Sequence, residues 1–374
     1  MNENRNIQKK KSYYYSIKDD MELFPDALFI IVYGGRGTGK TYGGLRELVE
    51  TNTKFVFIKR TLEDIKLLTA GNKIGTKHEE GDAVVDLSPF KPLNRDFGWN
   101  IRAFGTYPGM GAFFKCDNKH NPVGDAVGYI AALSGIGKIK GFDMTDAKIM
   151  MFDEFCPKSY EIISKNEATE ILDMYKTINR DREHRGQPPL MLWAFANSDN
   201  VVCPLIEAFD LIDVLAEMAL KHKEYYYNPE TRVLLHKLQT SEEFLAKEAE
   251  SPIYKATATS RWTKMALDND FAFNDFSQIG KASLKNMVCE ARVLYGDRWH
   301  FVYYSPDEHT RYVTYTNHNK EPRLQFDLNR NSNKKQFCTY AERKVLQIYY
   351  GVDDAKFESY SLYDLYYNAR KKLG

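Results

Sequence analysis

Eight residues, Gly34-Gly35-Arg36-Gly37-Thr38-Gly39-Lys40-Thr41, follow directly on the apolar run Leu28-Phe29-Ile30-Ile31-Val32-Tyr33. A buried strand running into G-x-x-x-x-G-K-[ST] constrains the fold more than anything else in the chain, because each part is mechanical. The glycines allow a tight turn in which successive backbone N–H groups point inward and wrap phosphate oxygens. Lys40 then reaches the β/γ oxygens, and the Thr41 hydroxyl is placed to ligate Mg²⁺. Helix-compatible residues continue to Glu50, so a helix over about 40–50 adds the positive end of its dipole to the site. Gly34, Gly35, Arg36, Gly37, Thr38, Gly39, Lys40 and Thr41 are read as the ATP-binding loop.

Further strands of the same buried type recur: Lys54–Ile58, Ala147–Phe152 and Leu190–Phe195. Helical stretches separate them, over Leu62–Thr69 and about 158–185. Strands spaced by helices imply a parallel sheet covered on both faces. Between about 75 and 130, glycine-rich turns set off short alternating pieces (Ile101–Phe104, Ala112–Cys116, Ala126–Ala132), which read as a β-hairpin insertion. A helix is expected at 241–250. Short alternating strands at Arg298–Tyr304, Arg311–Thr316 and Arg323–Leu328 look antiparallel, and the tail from 340 to 373 reads as helical. The expected division is an ATPase domain over 1–204, a linker or lid over 205–275, and a smaller α+β domain over 276–374.

The chain's 374 residues, 43% hydrophobic, suffice for two cores. Its 52 basic and 51 acidic residues leave a net charge of +1, which argues against a protein that simply coats nucleic acid. The five cysteines (Cys116, Cys156, Cys203, Cys289, Cys338) are scattered without paired spacing; neither zinc nor a disulfide framework is indicated, and a reducing cytoplasm fits. No apolar stretch is long enough to span a bilayer and the N-terminus is polar, so no membrane association is expected.

The run Met150-Met151-Phe152 ends in Asp153-Glu154. A strand of this kind carries both carboxylates to the carboxyl edge of the sheet, beside the phosphate loop. Asp153 is then a Mg²⁺ ligand with Thr41, and Glu154 polarises the water that attacks the γ-phosphate. A guanine-specific enzyme would need Asn-Lys-x-Asp; the nearest stretch, Asn118-Lys119-His120-Asn121, lacks the aspartate, so ATP hydrolysis is favoured. Asn179-Arg180-Asp181-Arg182-Glu183-His184-Arg185 holds three arginines, one of which would complete the phosphate clamp of a neighbouring subunit; Arg36, inside the loop, is the alternative within its own subunit. Asn197, past the Leu190–Phe195 strand, is read as a γ-phosphate sensor coupling hydrolysis to the second domain. Lys138 and Lys140 are either solvated loop residues or contacts to DNA or a neighbour's nucleotide.

Gly34–Thr41 with its internal Arg36, Ile149–Phe155, Asn179–Arg185 and Phe195–Ser198 together resemble the DNA-packaging ATPases of small phi29-type podoviruses, relatives of the large terminase subunits. That resemblance implies an ASCE/RecA-like P-loop ATPase domain with a parallel central sheet, followed by an RNase H-like domain that has lost nuclease activity. It implies a homo-oligomeric ring, commonly a pentamer, at the portal (connector) of a procapsid, threading double-stranded DNA inward with ATP and Mg²⁺ in the host cytoplasm, in some cases with a structural packaging RNA. By motif position Arg180 matches the arginine acting in trans, and Lys140 a lysine reaching the neighbouring site. The strand Arg298–Tyr304 contains no acidic residue, in keeping with a lost two-metal centre; Asp307 and Asp327 lie near strand ends. A ring helicase or translocase sharing this core, and a nucleotide-gated portal-binding scaffold, are the competing classes.

Overall fold

The structure, a computed structural model, describes residues 14–70, 72–75, 86–135, 137, 142–158, 161, 163–164, 166–198, 200–239, 242–257, 259, 274, 276–295, 297–317, 321–322, 324–327 and 355–373. The chain divides into two compact units, 1–209 with 221–273, and 210–220 with 274–374.

In the first unit the principal elements are α1 (Ile17–Leu23), β1 (Phe29–Gly34), α2 (Lys40–Glu50), β2 (Phe55–Lys59), α3 (Leu62–Leu68), α4 (Lys91–Phe97), β3 (Ile101–Tyr107), β4 (Met110–Cys116), β5 (Pro122–Ala132), β6 (Ile149–Asp153), α5 (Glu167–Asn179), β7 (Met191–Asn197), β8 (Tyr225–Asn228), β9 (Val233–Lys237) and α6 (Glu242–Ala249). Their strands form one sheet in the order β3-β4-β5-β2-β6-β7-β1-β9-β8. The pairs from β5 through β9 are parallel, whereas β3-β4, β4-β5 and β8-β9 are antiparallel. This is the expected α/β class. β7 lies between β1, which carries the phosphate loop, and β6, which carries the acid pair.

The stretch read as a β-hairpin insertion forms antiparallel strands that continue this sheet. β3, β4 and β5 form a meander whose last strand pairs with β2, Phe55 opposite Gly128. The reason is the composition of β2, Phe55-Val56-Phe57-Ile58, which is buried on both faces and cannot serve as an exposed edge. The interval 205–275 departs from a linker. Val233–Lys237 is buried along its length and pairs with β1, Ile31 opposite Leu235, so it supplies the far wall of the phosphate-loop strand. Phe244 of α6 stands beside the phosphate loop, where a Cβ at Gly37 would lie 3.5 Å from its ring.

One apolar layer lies under α2, where Leu45 and Leu48 meet Ile30, Val32, Phe57, Met151, Trp193 and Phe195. The 3–4 spacing of those leucines turns one helix face to the sheet. At the meander end the layer is aromatic. Phe113, fully buried, sits 4.9 Å from Phe90, 5.8 Å from Phe57 and 5.9 Å from Phe55, ring centre to ring centre.

In the second unit, β10 (Val288–Tyr295), β11 (Arg298–Ser305), β12 (Thr310–Thr314), β13 (Leu324–Asp327) and β14 (Ala355–Phe357) form a sheet ordered β13-β10-β11-β12-β14. β10-β11-β12 is an antiparallel meander, and β13 and β14 add parallel edges. The tail is therefore not helical throughout: Ala355–Phe357 pairs with β12 before the helix Tyr360–Leu373, and 340–354 lies outside the described residues. Alternation decides this, since Ala355 and Phe357 are buried on either side of exposed Lys356. The helix Ile212–Leu220 belongs here too, its Asp213 carboxylate accepting from the backbone N–H and hydroxyl of Ser361, both at 2.8 Å. No described helix is long and apolar enough to cross a membrane.

Truncating Phe113 removes the ring shared by three neighbours and leaves a cavity, so Phe113→Ala is expected to destabilise the first unit by about 3–5 kcal/mol. Urea unfolding followed by near-UV circular dichroism measures this; a loss within noise would show that the meander end is not packed as described.

Candidate nucleotide site

β1 ends at Gly34, and the chain turns through Gly37 and Gly39 at φ of 74° and 83° before α2 begins at Lys40. Only glycine adopts these values without strain. No side chain caps the first turn of α2, and a helix start of this kind at a glycine loop forms an anion-binding concavity. Thr38 closes the loop from within, its hydroxyl donating to the Gly35 carbonyl at 2.9 Å. Lys40 lies back inside it, donating to the carbonyls of Gly34 (3.0 Å) and Gly35 (2.8 Å) and to Thr38 Oγ1 (3.2 Å).

The structure brings the predicted carboxylates to this loop. The Thr41 hydroxyl donates to Asp153 Oδ1 at 2.6 Å. Hydroxyl and carboxylate oxygens converging in this way suit a hard cation such as Mg²⁺. Glu154 stands one residue past β6 at a φ of 58°, a conformation rare for a residue with a side chain. Its carboxylate is 59% exposed while Asp153 is buried. The carboxamide oxygen of Asn197, the last residue of β7, lies 3.5 Å from Lys40 Nζ, so the predicted sensor does reach the loop. A cavity of about 790 Å³ runs along these groups and is lined by Thr38, Lys40, Asp153, Glu154 and Asn197 among others.

Two cations at the end of β2, Lys59 and the following Arg60, join this edge. Lys59 Nζ contacts Asp153 Oδ2 at 2.8 Å and Glu154 Oε2 at 3.2 Å. Burial by itself would lower the Lys59 pKa, but the two carboxylates outweigh it and hold it above the ordinary lysine value. In return, the Lys59 charge keeps Glu154 below the usual glutamate range, against the opposing effect of its own desolvation. Arg60 braces the backbone behind the pair. Its Nε lies 3.1 Å from both Glu167 oxygens, Nη1 is 3.0 Å from Glu161, and Nη2 donates to the carbonyls of Glu154 (3.3 Å) and Phe155 (2.8 Å). The sequence signal was the sudden change from four apolar residues to two cations at a strand end, where the sheet's carboxyl edge places side chains in the site.

The arginines separate by environment. Arg182 is 5% exposed and donates to the carbonyls of Thr145 (2.7 Å), Ala147 and Pro188 (3.3 Å); it anchors its own turn and is not placed to reach another subunit. Arg180 follows α5 at a φ of 41°, and its Nη2 donates to the Phe142 carbonyl at 3.3 Å. It does not line the cavity of its own chain. Arg185 and Arg36 are exposed, and Arg36 lies close enough to Tyr254 to be felt by its phenol. Lys138 and Lys140 lie outside the described residues.

Loop, acid pair and the interposed β7 define a P-loop nucleotide-binding fold of the additional-strand class. No family model matches the sequence, and neither does any curated protein. Solved structures match through the fold. The Phi-28 gp11 DNA packaging motor superposes with a TM-score of 0.55 at 17% identity, covering 95% of this chain and 97% of that one. The bacteriophage Phi-29 viral genome packaging motor assembly gives 0.64 at 15% identity, covering 97% and 100%. The chain has the fold of the phi29-type packaging motor proteins, over almost its whole length.

Replacing Arg60 by Met strands Glu167, which is 2% exposed, without its partner. Burial already raises the Glu167 pKa, and Arg60 is the group that opposes this. Arg60→Met is therefore expected to cost about 3–5 kcal/mol where Glu167 must ionise, and less in acid, where the carboxyl takes up a proton. Urea midpoints at about pH 8 and about pH 5 test the sign; an equal loss at both would remove Glu167 as the cause.

Proposed function

We propose that the chain is an ATP-hydrolysing motor subunit that drives double-stranded DNA into a preformed procapsid, acting as a homo-oligomeric ring at the portal. The observation that carries this reading is the convergence of Lys40, Thr41, Asp153 and Glu154 at one sheet edge, in a fold shared with viral packaging motors.

In this reading the loop N–H groups and Lys40 hold the triphosphate, with Lys40 exchanging the Gly34 and Gly35 carbonyls for phosphate oxygens. Thr41 and Asp153 would hold Mg²⁺, which when bound neutralises phosphate charge. Glu154, kept ionised by Lys59, orients the attacking water and accepts its proton. Its carboxylate is exposed where that of Asp153 is buried, so the two acids divide the work between activating and holding. Asn197, between Lys40 and the sheet edge, would report the state of the γ-phosphate. Arg180 projects from outside its own cavity, the position from which a neighbour's site is closed in a ring. Arg36 and Lys140 remain additional contacts in this scheme. Sequence-independent phosphate contacts would let any duplex be driven, and a near-neutral chain releases as readily as it grips. A pentameric ring, a structural RNA, an inactive nuclease-like second unit and transient docking on the procapsid in the host cytoplasm complete the proposal.

The deciding experiment is ATP turnover by the purified protein with and without empty procapsids, duplex DNA and single-stranded DNA. Stimulation by duplex is expected. Stimulation by single strands alone would favour a helicase, and slow turnover indifferent to both a nucleotide-gated scaffold. Glu154→Gln is expected to bind ATP normally while kcat falls by about 10²–10⁴-fold; unchanged steady-state turnover would remove Glu154 from the chemistry. Arg180→Ala is expected to lower kcat by about 10³–10⁵-fold and to poison mixed assemblies beyond its share. Activity falling in strict proportion to the mutant fraction would argue against action in trans.

A further inference from the structure

A strap of three residues, Tyr14 to Ser16, crosses the start of α2. The Tyr15 N–H donates to the Thr38 carbonyl at 2.9 Å. The Tyr15 carbonyl oxygen lies 2.6 Å from where a Cβ at Gly43 would stand, and Tyr14 lies 3.1 Å from the corresponding point at Gly39. Glycine at 43 lets the strap backbone approach the helix this closely, and glycine at 39 leaves room for the Tyr14 side chain. Tyr14, Tyr15, Ser16 and Lys18 line the same cavity as Lys40 and Asp153. The strap thus forms part of the wall of the site.

What holds the strap is buried behind it. The Tyr15 hydroxyl donates to Asp20 Oδ2 at 2.8 Å, and the same oxygen lies 2.8 Å from His236 Nδ1. His236 is on β9, 5% exposed, with Nε2 3.4 Å from Glu224 and its ring against Tyr225, centres 4.2 Å apart. Asp20 is 1% exposed, and its other oxygen has no hydrogen-bond partner among the described residues. A carboxylate this deep, satisfied on one oxygen only, depends on an adjacent positive charge. A charged imidazole donating to Asp20 from one nitrogen and to Glu224 from the other supplies it.

We propose that His236 is a positioning residue for nucleotide binding: through Asp20 it locks Tyr15, and with it the strap, against the phosphate loop, so that affinity for nucleotide follows the charge of an imidazole buried behind the site. The inference rests on the ATPase reading above. It adds to that reading a group that touches neither substrate nor metal.

The sign of the pH effect follows from what faces His236. α1 presents Asp20, with Asp19 nearby; Glu224 and Tyr225 lie at the start of β8; Tyr15 comes from the strap. Burial alone would lower the His236 pKa, but the bonds to Asp20 and Glu224 outweigh it and raise it. The lock is therefore complete below the unfolded-state value of about 6.5, and it is lost as pH rises through the higher folded-state value.

The test measures KM and kcat for ATP between about pH 6 and about pH 9, in the wild-type protein and in His236→Gln and Tyr15→Phe, with melting temperatures recorded alongside. For the wild type, KM is expected to rise about tenfold across this range, as one charge-assisted hydrogen bond is lost, with kcat little changed. His236→Gln should show the raised KM already at low pH, with a flat profile. Tyr15→Phe keeps the ring and its packing, so it answers the case in which His236→Gln fails to fold. It too should raise KM and flatten the profile, because the strap no longer senses Asp20. KM values within twofold of wild type in Tyr15→Phe, with the pH dependence intact, would overturn the proposal. A wild-type protein without ATP turnover would instead overturn the ATPase reading on which it rests.

Discussion

The bond from the Thr41 hydroxyl to Asp153, at 2.6 Å, is the interaction on which the rest of the site depends. The strands that carry the two groups are not neighbours. β7 lies between them, and two strand spacings amount to about 10 Å. The gap closes only because α2 starts at once after the loop and sets Thr41 on its first turn, while Asp153 stands at the last position of β6. A longer loop, or a β6 shorter by one residue, would turn the pair away from each other.

Charge is concentrated at this edge to a degree that burial alone would forbid. Lys40, Lys59, Arg60, Asp153 and Glu167 are all largely removed from water, and each is tolerated because an opposite charge or a set of carbonyls faces it. The arrangement also assigns tasks. Lys59 touches both acids of the pair and so ties their positions together. Arg60 ties the Glu154 and Phe155 carbonyls to Glu161 and Glu167, which links the acid pair to the start of α5. Arg180 directly follows the same α5. A shift at Glu154 thus has a covalent and ionic route to the residue proposed to act on a neighbour.

Much of this was legible in the residues. β1, β2, β6 and β7 are uninterrupted apolar runs closed by polar residues, and a parallel sheet buried on both faces admits no other pattern. The acid pair and the glycine loop could be placed on the same edge because strands in such a sheet share a direction. What escaped was whatever depends on partners distant in sequence. Val233-Leu234-Leu235 is too short and too mixed in its surroundings to announce a strand, and becomes one only against β1. Ala355–Phe357 looks like the beginning of a helix until β12 supplies a ladder. Three arginines in Asn179–Arg185 look alike as residues. In the fold Arg182 is consumed by three carbonyls, whereas Arg180 is half-buried and Arg185 exposed.

By itself, then, the order of residues determined the phosphate loop, the acid pair and the alternation of strand and helix, since these are set by backbone freedom at glycine and by local periodicity. Tertiary structure alone decided that Lys59 belongs to the acid pair and that Asp20, His236 and Tyr15 share one oxygen. Asp20 and His236 lie 216 positions apart, and nothing local encodes the meeting. Only the packing of β9 beside β1, with Asp20 of α1 reaching His236, brings them within hydrogen-bonding distance, and the low dielectric of that interior then gives each contact its strength.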